Sequence, residues 1–422
     1  MKKPAFAAVM TLLACLAPAP PAQAADEAVI HEVLEILKER GIVDEARYGE
    51  LVEKSKAYET KQASLLSKIV WTGDFRARLE NFWFDEDALG GERDNRHRGR
   101  YRLRIGATMP INEWVTAGFR LASGELENRS TNRSLGVGDD FDRDTIAIDE
   151  AFLQLKLPIE AGTTSLVFGK QNNPFLWKNG KDYMNWDPDY SLEGLSLRWG
   201  MQPTESASLY ANAGYFLIDE NGGAKDPHFF ALQGGGQLRA AEKIAFGGRA
   251  TWFSYGSLDT GFFTRQGLFG NVGLSDNSDS SFDQLELSAF GRATHSEAWP
   301  VLVHAHFVKN LDAASLPGEG KQDSGWGVAV EVGDPKQIVL LGVGYYSLEA
   351  DSAPALYTDS DLFDGFTNRE GWAFYGTRQV FSNTELTFEL FMSDALDSSP
   401  LFATSIAGSE RFRLRSDVVV KF

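Results

Sequence analysis

The chain has 422 residues, a formal net charge of −18 and a single cysteine, Cys15. This acidity argues against nucleic-acid binding, which needs a basic surface to neutralise phosphates. No segment after the amino-terminal leader reaches the roughly 18 uninterrupted apolar residues that a membrane-spanning helix requires, so a helical membrane protein is excluded. A lone cysteine also excludes an internal disulfide.

Residues 1–24 have the pattern of a secretory signal peptide. Two lysines precede an apolar run over residues 5–16, and Ala22-Gln23-Ala24 form a small-residue cleavage site. The alternative is a lipoprotein cleavage box, which would leave Cys15 as an acylated amino terminus. Because an alanine-rich cleavage site follows, we expect cleavage before Ala25 and a mature chain without cysteine.

Residues 25–68 are predicted to form a helical or coiled-coil segment in the periplasm. Apolar residues recur at helical spacing from Val29 to Leu37, Gly41 ends that helix, and Asp44 is placed to cap a second one. Such a short segment cannot bury a core of its own. It therefore either associates with itself or packs on a partner such as the cell wall, and a simple spacer is an equally good interpretation.

From Trp71 onward, apolar and polar residues alternate with a period of two, which is typical of strands with one apolar face. The last strand shows the pattern most clearly, because Phe412, Leu414 and Val418 alternate with ionic residues. Sixteen such runs are predicted, near residues 71–83, 99–109, 114–123, 146–157, 164–171, 193–200, 207–217, 228–239, 243–255, 282–293, 300–309, 324–333, 337–348, 370–380, 384–392 and 410–422.

Short and long links alternate strictly between these runs. An up-and-down barrel produces this order when both termini lie on the short-turn side, whereas a soluble sandwich has no reason to sort its loops by length. Closure also removes the edge strands that lipid does not tolerate. The sequence therefore predicts an all-β fold, a transmembrane up-and-down antiparallel β-barrel of about sixteen strands over residues 69–422.

Nine arginines occupy the parity opposite to the apolar side chains on four neighbouring strands. They are Arg76, Arg78, Arg100, Arg102, Arg104, Arg120, Arg411, Arg413 and Arg415. A row of permanently charged guanidinium groups facing pore water would attract anions. Alternatively, the row forms salt bridges with acids of the same face, such as Asp74, Glu80 and Asp417, and both interpretations can hold together.

The third long link, Gln171 to Gly194, is rich in aromatic residues and in acids. A loop with this much apolar surface should pack on something, and folding into the lumen would bury that surface and narrow the pore. Its acids, Asp182, Asp187, Asp189 and Glu193, would then oppose the arginine arc and set up a transverse field. The alternative is packing on other loops or on a neighbouring subunit.

Three further acidic stretches lie in non-periodic segments, at residues 139–142, 275–283 and 359–364. We expect solvated loops there. The alternative is that divalent cations bridge these carboxylates to anionic lipid headgroups.

The order of these features resembles that of bacterial outer-membrane porins, closest to the "putative porin" family and related to the phosphate-selective porins. The resemblance depends on the leader, the helical segment, the alternating strands, the run WDPDYSLEG and the terminal Phe422. It implies a location in the outer membrane of a Gram-negative bacterium, usually as a homotrimer in contact with lipid and lipopolysaccharide. It also implies passive diffusion of small hydrophilic solutes past a constricting third loop, and a carboxyl-terminal strand, ending at Phe422, that the barrel-assembly machinery reads.

The chain departs from a strongly anion-selective pattern in its overall acidity and in lacking a lysine cluster in the third loop, which argues against phosphate as the solute. We expect no catalytic residue, no metal and no cofactor. His304 and His306 share the inward parity of one strand, but without a third ligand nearby they are better explained as lumen-lining residues. The alternative functions are a plugged barrel acting as an adhesin or structural anchor, which would not conduct in a planar bilayer, and an outer-membrane lipid hydrolase.

Overall fold

A computed structural model describes residues 33–84, 95–124, 130–137, 141, 143–222, 225–258, 269–272, 282–316, 318, 320–397 and 410–422. The predicted signal peptide, residues 1–24, lies outside this set. The chain divides into two compact units between Lys68 and Ile69. Within the described residues, no helix combines the length and the apolar character needed to cross a membrane.

The first unit contains a helical stretch over residues 33–39 (α1) and a helix over Glu45–Leu66 (α2). Gly41 has a φ of 68° and ends the first stretch, where the Ile42 amide donates to the carbonyl of Leu37 at 3.0 Å. Asp44 caps α2, because its Oδ1 accepts a hydrogen bond from the Arg47 amide at 2.8 Å. Local chemistry therefore accounts for the break between the helices.

The second unit is an antiparallel sheet with sixteen long strands among its described residues. They are β1 (Val70–Phe84), β2 (Arg96–Pro110), β3 (Val115–Ser123), β4 (Ile146–Leu157), β5 (Thr163–Asn172), β6 (Ser191–Thr204), β7 (Ala207–Leu217), β8 (His228–Ala241), β9 (Ile244–Gly256), β10 (Asp283–Thr294), β11 (Pro300–Asn310), β12 (Ser324–Val332), β13 (Leu340–Leu348), β14 (Arg369–Phe381), β15 (Thr384–Ala395) and β16 (Arg411–Lys421).

Each strand pairs with the next in sequence, and β1 pairs with β16, so the sheet closes into a barrel. The closing register runs from Asp74 opposite Lys421 to Phe84 opposite Arg411. Beside it, the Gly73 amide donates to the Phe422 carbonyl at 2.7 Å, and the Phe422 amide donates back at 3.0 Å. Closure leaves no free strand edge, as a lipid environment requires, and the predicted sixteen-stranded up-and-down barrel is confirmed.

Minor elements lie in the long loops. A two-residue strand, Arg133–Ser134, pairs with β2, and Ser315–Leu316 pairs with Gly320–Lys321. Two short 3₁₀ helices, Ala355–Tyr357 and Phe363–Gly365, occupy the loop between β13 and β14.

Side-chain exposure follows the alternation that the sequence predicts. On β1, Phe75 and Leu79 are 43% and 62% exposed on the outer face, whereas Arg78 and Glu80 on the inner face are 3% and 1% exposed. The outer face is therefore apolar and the polar parity faces the lumen, which is the arrangement of a membrane barrel.

The lumen has two unlike sides. The inner faces of β16, β1, β2 and β3 are ionic, whereas those of β7, β8 and β9 carry buried aromatic residues. Two buried apolar clusters lie inside the barrel, and both include residues of the loops that follow β5 and β13. Both loops therefore place apolar side chains inside the barrel.

Candidate functional site in the barrel lumen

The arginine arc is an ionic network rather than a row of free cations. Glu80, fully buried, contacts Arg98 and Arg413, and the guanidinium groups of Arg78 and Arg100 lie 3.8 Å from its carboxylate oxygens. A single carboxylate at this position therefore offsets part of the charge of four arginines. Removing the Glu80 carboxylate should destabilise the fold, because uncompensated charges inside a protein are strongly destabilising.

Two further carboxylates bind arginines of neighbouring strands. Asp74 accepts hydrogen bonds from Arg102 at 2.7 and 2.9 Å and from Arg104 at 2.7 Å. Asp417 accepts a forked pair of 2.8 Å bonds from Arg78. The salt-bridge interpretation of the arc is therefore the one that this geometry supports.

Arg120 forms its own ion pairs on β4, where a register shift in the pairing of β3 with β4 interrupts the simple alternation. Because of that shift, the successive acids Asp149 and Glu150 are both buried, and both pair with Arg120.

The third loop, residues 173–190, brings Asp189 to the arginine arc. Its carboxylate lies 3.3 Å from Arg102, 3.8 Å from Arg104 and 3.9 Å from Arg76. The amide and hydroxyl of Thr131 also donate to it, at 3.2 and 3.1 Å. Burial by itself would raise the pKa of Asp189, but the three guanidinium groups outweigh burial and lower that pKa. Asp189 is therefore an ionised carboxylate held against the arc.

The other three acids expected to face the arc lie elsewhere. Asp182 is 3.3 Å from Arg249 on β9 and 3.6 Å from His306 on β11. Asp187 accepts a hydrogen bond from the amide of Ser360 at 2.9 Å. Glu193 belongs to β6 and points outward, where it pairs with Lys170 at 2.7 Å. Asp182 and Asp187 lie away from the arc because the third loop crosses the lumen, so its residues contact different parts of the barrel interior. Glu193 lies away from it because it already follows the alternation of β6.

The aromatic residues of the third loop pack on the inner wall. Phe175 contacts Phe216 and Phe253 edge-on, with ring centroids 6.1 and 5.6 Å apart. Tyr183 contacts Phe391 at 5.5 Å, and its hydroxyl donates to Glu389 at 3.0 Å. The loop therefore buries its apolar surface inside the barrel.

A second loop, which the sequence interpretation missed, also enters the lumen. The seventh long loop, residues 349–368, is largely buried, and its acids bind the arginine arc. Asp361 contacts Arg415 and lies 3.1 Å from Arg413, and Asp364 lies 2.6 Å from Arg411. The expectation of solvated carboxylates at residues 359–364 is therefore wrong. The signal that could have revealed this loop is the set of apolar residues around its acids: Leu356, Tyr357, Leu362, Phe363 and Phe366.

The third and seventh loops contact each other. The Asp187 amide donates to the Tyr357 carbonyl at 2.9 Å, and the Tyr190 hydroxyl donates to the Leu356 carbonyl at 2.6 Å.

The other two acidic stretches of the sequence, residues 139–142 and 275–283, lie mostly outside the described residues.

His304 and His306 line the lumen beside the third loop. Their ring nitrogens lie 2.9 Å apart, and His306 also contacts the Ser288 hydroxyl at 2.9 Å. Potential metal ligands from Asp182, Glu286 and His306 lie within 4.8 Å of one another. The guanidinium of Arg249 contacts both of these carboxylates, however, so a cation already occupies the position that a metal ion would need.

Comparisons with known proteins agree with this architecture. Residues 87–262 match the model of a family described as "Putative porin". A high-pH structure of Pseudomonas putida OprB aligns with 86% of this chain and 97% of its own, at 12% identity and a TM-score of 0.53. The outer membrane channel DcaP of Acinetobacter baumannii aligns with 84% of this chain and 97% of its own, at 13% identity and a TM-score of 0.47. No curated protein matches the sequence.

The relation to phosphate-selective porins stays a prediction. The family match covers the first part of the barrel, and the alignment with OprB supports the fold of the whole. The resemblance that the sequence predicts is thereby confirmed: residues 87–262 match the "Putative porin" family model, and the fold of the barrel is similar to that of OprB.

Proposed function

We propose that the protein allows passive diffusion of small hydrophilic solutes and ions through a water-filled lumen that the third long loop narrows. The observation that carries this proposal is the contact of that loop with nearly opposite walls. Asp189 lies 3.3 Å from Arg102 on β2, and Asp182 lies 3.3 Å from Arg249 on β9, seven strands further around the ring. A segment held at both walls divides the lumen.

The lining of the lumen supports hydrophilic solutes. A cavity of about 370 Å³ and a second of about 280 Å³ lie against the third loop, and charged or hydroxyl side chains contribute to the lining of both. Charged groups at a narrow point favour hydrated and polar solutes over apolar ones. The function that we propose is that of a non-enzymatic channel.

The partners in this proposal are those that the resemblance to outer-membrane porins implies. Lipid and lipopolysaccharide surround the apolar outer face, and the functional assembly is a homotrimer. The carboxyl-terminal strand, ending at Phe422, is the segment that the barrel-assembly machinery engages. Residues 25–68 form a periplasmic extension after removal of residues 1–24 as a signal peptide.

Planar-bilayer recording tests the proposal. The purified protein should show ohmic current steps, and replacing residues 174–189 with a short glycine-serine linker should enlarge each step. In liposome-swelling assays the same variant should admit larger neutral sugars. Retained heat-modifiable mobility on electrophoresis would show that the variant still forms its barrel. Equal conductance and an equal sugar limit in both proteins would contradict the constriction.

One observation favours a second candidate, the plugged barrel. Buried aromatic residues of both inward loops pack against the inner faces of β7 to β9 and fill that side of the lumen. A correctly folded protein that stays silent in the bilayer would support an adhesin or structural anchor instead of a diffusion channel.

A further inference from the structure

Arg76 differs from the other arginines of the arc. Its guanidinium makes no hydrogen bond with any described residue, and its Nε is buried without a partner. The nearest carboxylate oxygens, on Asp189 and Asp417, are 3.9 and 4.0 Å away, beyond hydrogen-bond distance. The other eight all have a hydrogen bond or a carboxylate oxygen in close contact.

The strand register explains why Arg76 is left without an acceptor. Its cross-strand partners are Arg102 on β2 and Val419 on β16, so no acid lies directly opposite. The two nearest acids on the same face are already engaged, because Asp74 binds Arg102 and Arg104, and Asp417 binds Arg78. A buried guanidinium without an acceptor is costly, and a bound anionic group would satisfy it.

Asp359 of the seventh loop is a buried acid that lacks a close basic partner among the described residues. It is buried, and the one hydrogen bond that it accepts from a described residue comes from the Asp361 amide at 2.7 Å. Among the described residues, no basic nitrogen lies within 4.0 Å of its carboxylate. Burial raises the pKa of Asp359 well above its usual value, and the nearby Asp187 adds to that rise.

Arg76 and Asp359 line the same cavity, which has a volume of about 280 Å³. The remaining charged side chains of its lining form ion pairs with one another: Arg249 with Asp182 and Glu286, Lys181 with Glu389, and Arg415 with Asp361 and Glu389. Once these pairs are set aside, the Arg76 guanidinium and the Asp359 carboxylate face the cavity without a hydrogen-bonded partner of opposite charge among the described residues.

We propose that this cavity is a binding site for small zwitterionic solutes, chiefly α-amino acids, whose carboxylate binds Arg76 and whose ammonium group binds Asp359. The proposal deepens the diffusion function and rests on it. A simple anion would satisfy Arg76 and leave Asp359 buried beside a further negative charge, and a simple cation would do the reverse. A dipolar ion satisfies both groups at once.

The volume of the cavity suits a small solute. The cavity volume lies near the lower end of small-ligand pockets, roughly 300 Å³. It therefore accommodates a small amino acid rather than a peptide.

Isothermal titration of the detergent-solubilised full chain tests the proposal with glycine, acetate, methylamine and acetamide. Glycine should bind at least tenfold more tightly than each of the other three. Arg76→Gln and Asp359→Asn should each weaken glycine binding at least tenfold. Arg292→Gln alters an exposed arginine of β10 and should leave glycine binding unchanged.

Equal binding of glycine and acetate would reduce the site to an anion site and overturn the proposal, as would glycine binding that survives both substitutions. If Arg76→Gln does not fold, the proposal is tested by the ligand series on the unaltered protein and by the Asp359→Asn variant. Conductance in potassium chloride is measured separately. Normal conductance without glycine binding refutes this inference alone, whereas glycine binding by a silent protein refutes the diffusion function and leaves the site in place.

Discussion

Trp186 of the third loop stacks on Tyr357 of the seventh loop, with ring centroids 4.9 Å apart and planes 17° apart. Both residues are about 95% buried, Tyr190 contacts both rings, and Phe229 contacts Trp186. The inward position of one loop therefore depends on that of the other. Two segments far apart in sequence are therefore packed together inside the barrel.

Removing this stack should loosen both loops. Trp186→Ala deletes a buried aromatic ring, which typically costs about 3–5 kcal/mol. We expect larger and noisier single-channel currents, because the third loop loses its stacking contact with the seventh. As a control, Trp372→Leu alters a lipid-facing ring and should leave the currents unchanged. Identical current traces for wild type and Trp186→Ala would show that the stack does not hold the loops in place.

Glu80→Gln should destabilise the barrel. The substitution removes the negative charge that contacts Arg98 and Arg413 and lies 3.8 Å from Arg78 and Arg100, so the arginine arc loses part of its charge compensation. Breaking a buried ion pair costs about 3–5 kcal/mol. The temperature at which the compact form is lost on electrophoresis should fall clearly.

A matched control for Glu80 is Glu385→Gln, which breaks a partly exposed pair with Lys421 at 2.8 Å. Exposed pairs contribute at most about 1 kcal/mol, so this variant should denature close to wild type. If both variants denature at the same temperature, the buried network is not a main source of stability.

Gly73→Val should impair barrel closure. A Cβ at Gly73 would collide with the Phe422 ring and lie 2.8 Å from the Arg104 carbonyl oxygen. Both contacts are at the junction of β16, β1 and β2, so we expect a smaller fraction of folded protein in the outer membrane. Gly234→Ala, on β8, meets no atom within 4 Å and should assemble normally. Normal yields of the Gly73 variant would contradict the close packing at this junction.

Charge removal from the arc should change ion selectivity. Replacing Arg76, Arg102 and Arg413 with glutamine removes three cations from a wall that also carries Asp74 and Glu80. The excess of carboxylates should move the reversal potential in a potassium chloride gradient toward cation preference. Lys243→Gln, in the short turn after β8, should not move it. An unchanged reversal potential in the triple variant would remove the arc from the selectivity mechanism.

The strands and their inner faces could be predicted because a period of two is a local property of the sequence. Phe75 and Arg76 differ in parity, and they differ in exposure as expected. The alternation fails at Asp149 and Glu150, where a register shift buries two successive residues, and no feature of the sequence marks that shift.

The loops were predictable only in part. The aromatic residues of the third loop pointed to burial, but which acid meets which wall depends on the path of the chain across the lumen. In the seventh loop, Asp361 and Asp364 form ion pairs with arginines of β16, about fifty residues later in the chain. Such pairing is a tertiary property, so an acidic, non-periodic stretch could not be distinguished from a solvated loop by composition alone.

The most direct test of the central claim, that the third loop lies in the conduction path, is chemical modification of Lys181→Cys during bilayer recording. The single natural cysteine, Cys15, lies in the predicted signal peptide, so no other thiol should compete. A negatively charged methanethiosulfonate reagent should reduce the current in steps as each lumen reacts, whereas Ser206→Cys, in an exposed short turn, should react without any change in current. If Lys181→Cys is fully labelled and the current stays the same, ions do not pass the third loop and the account fails.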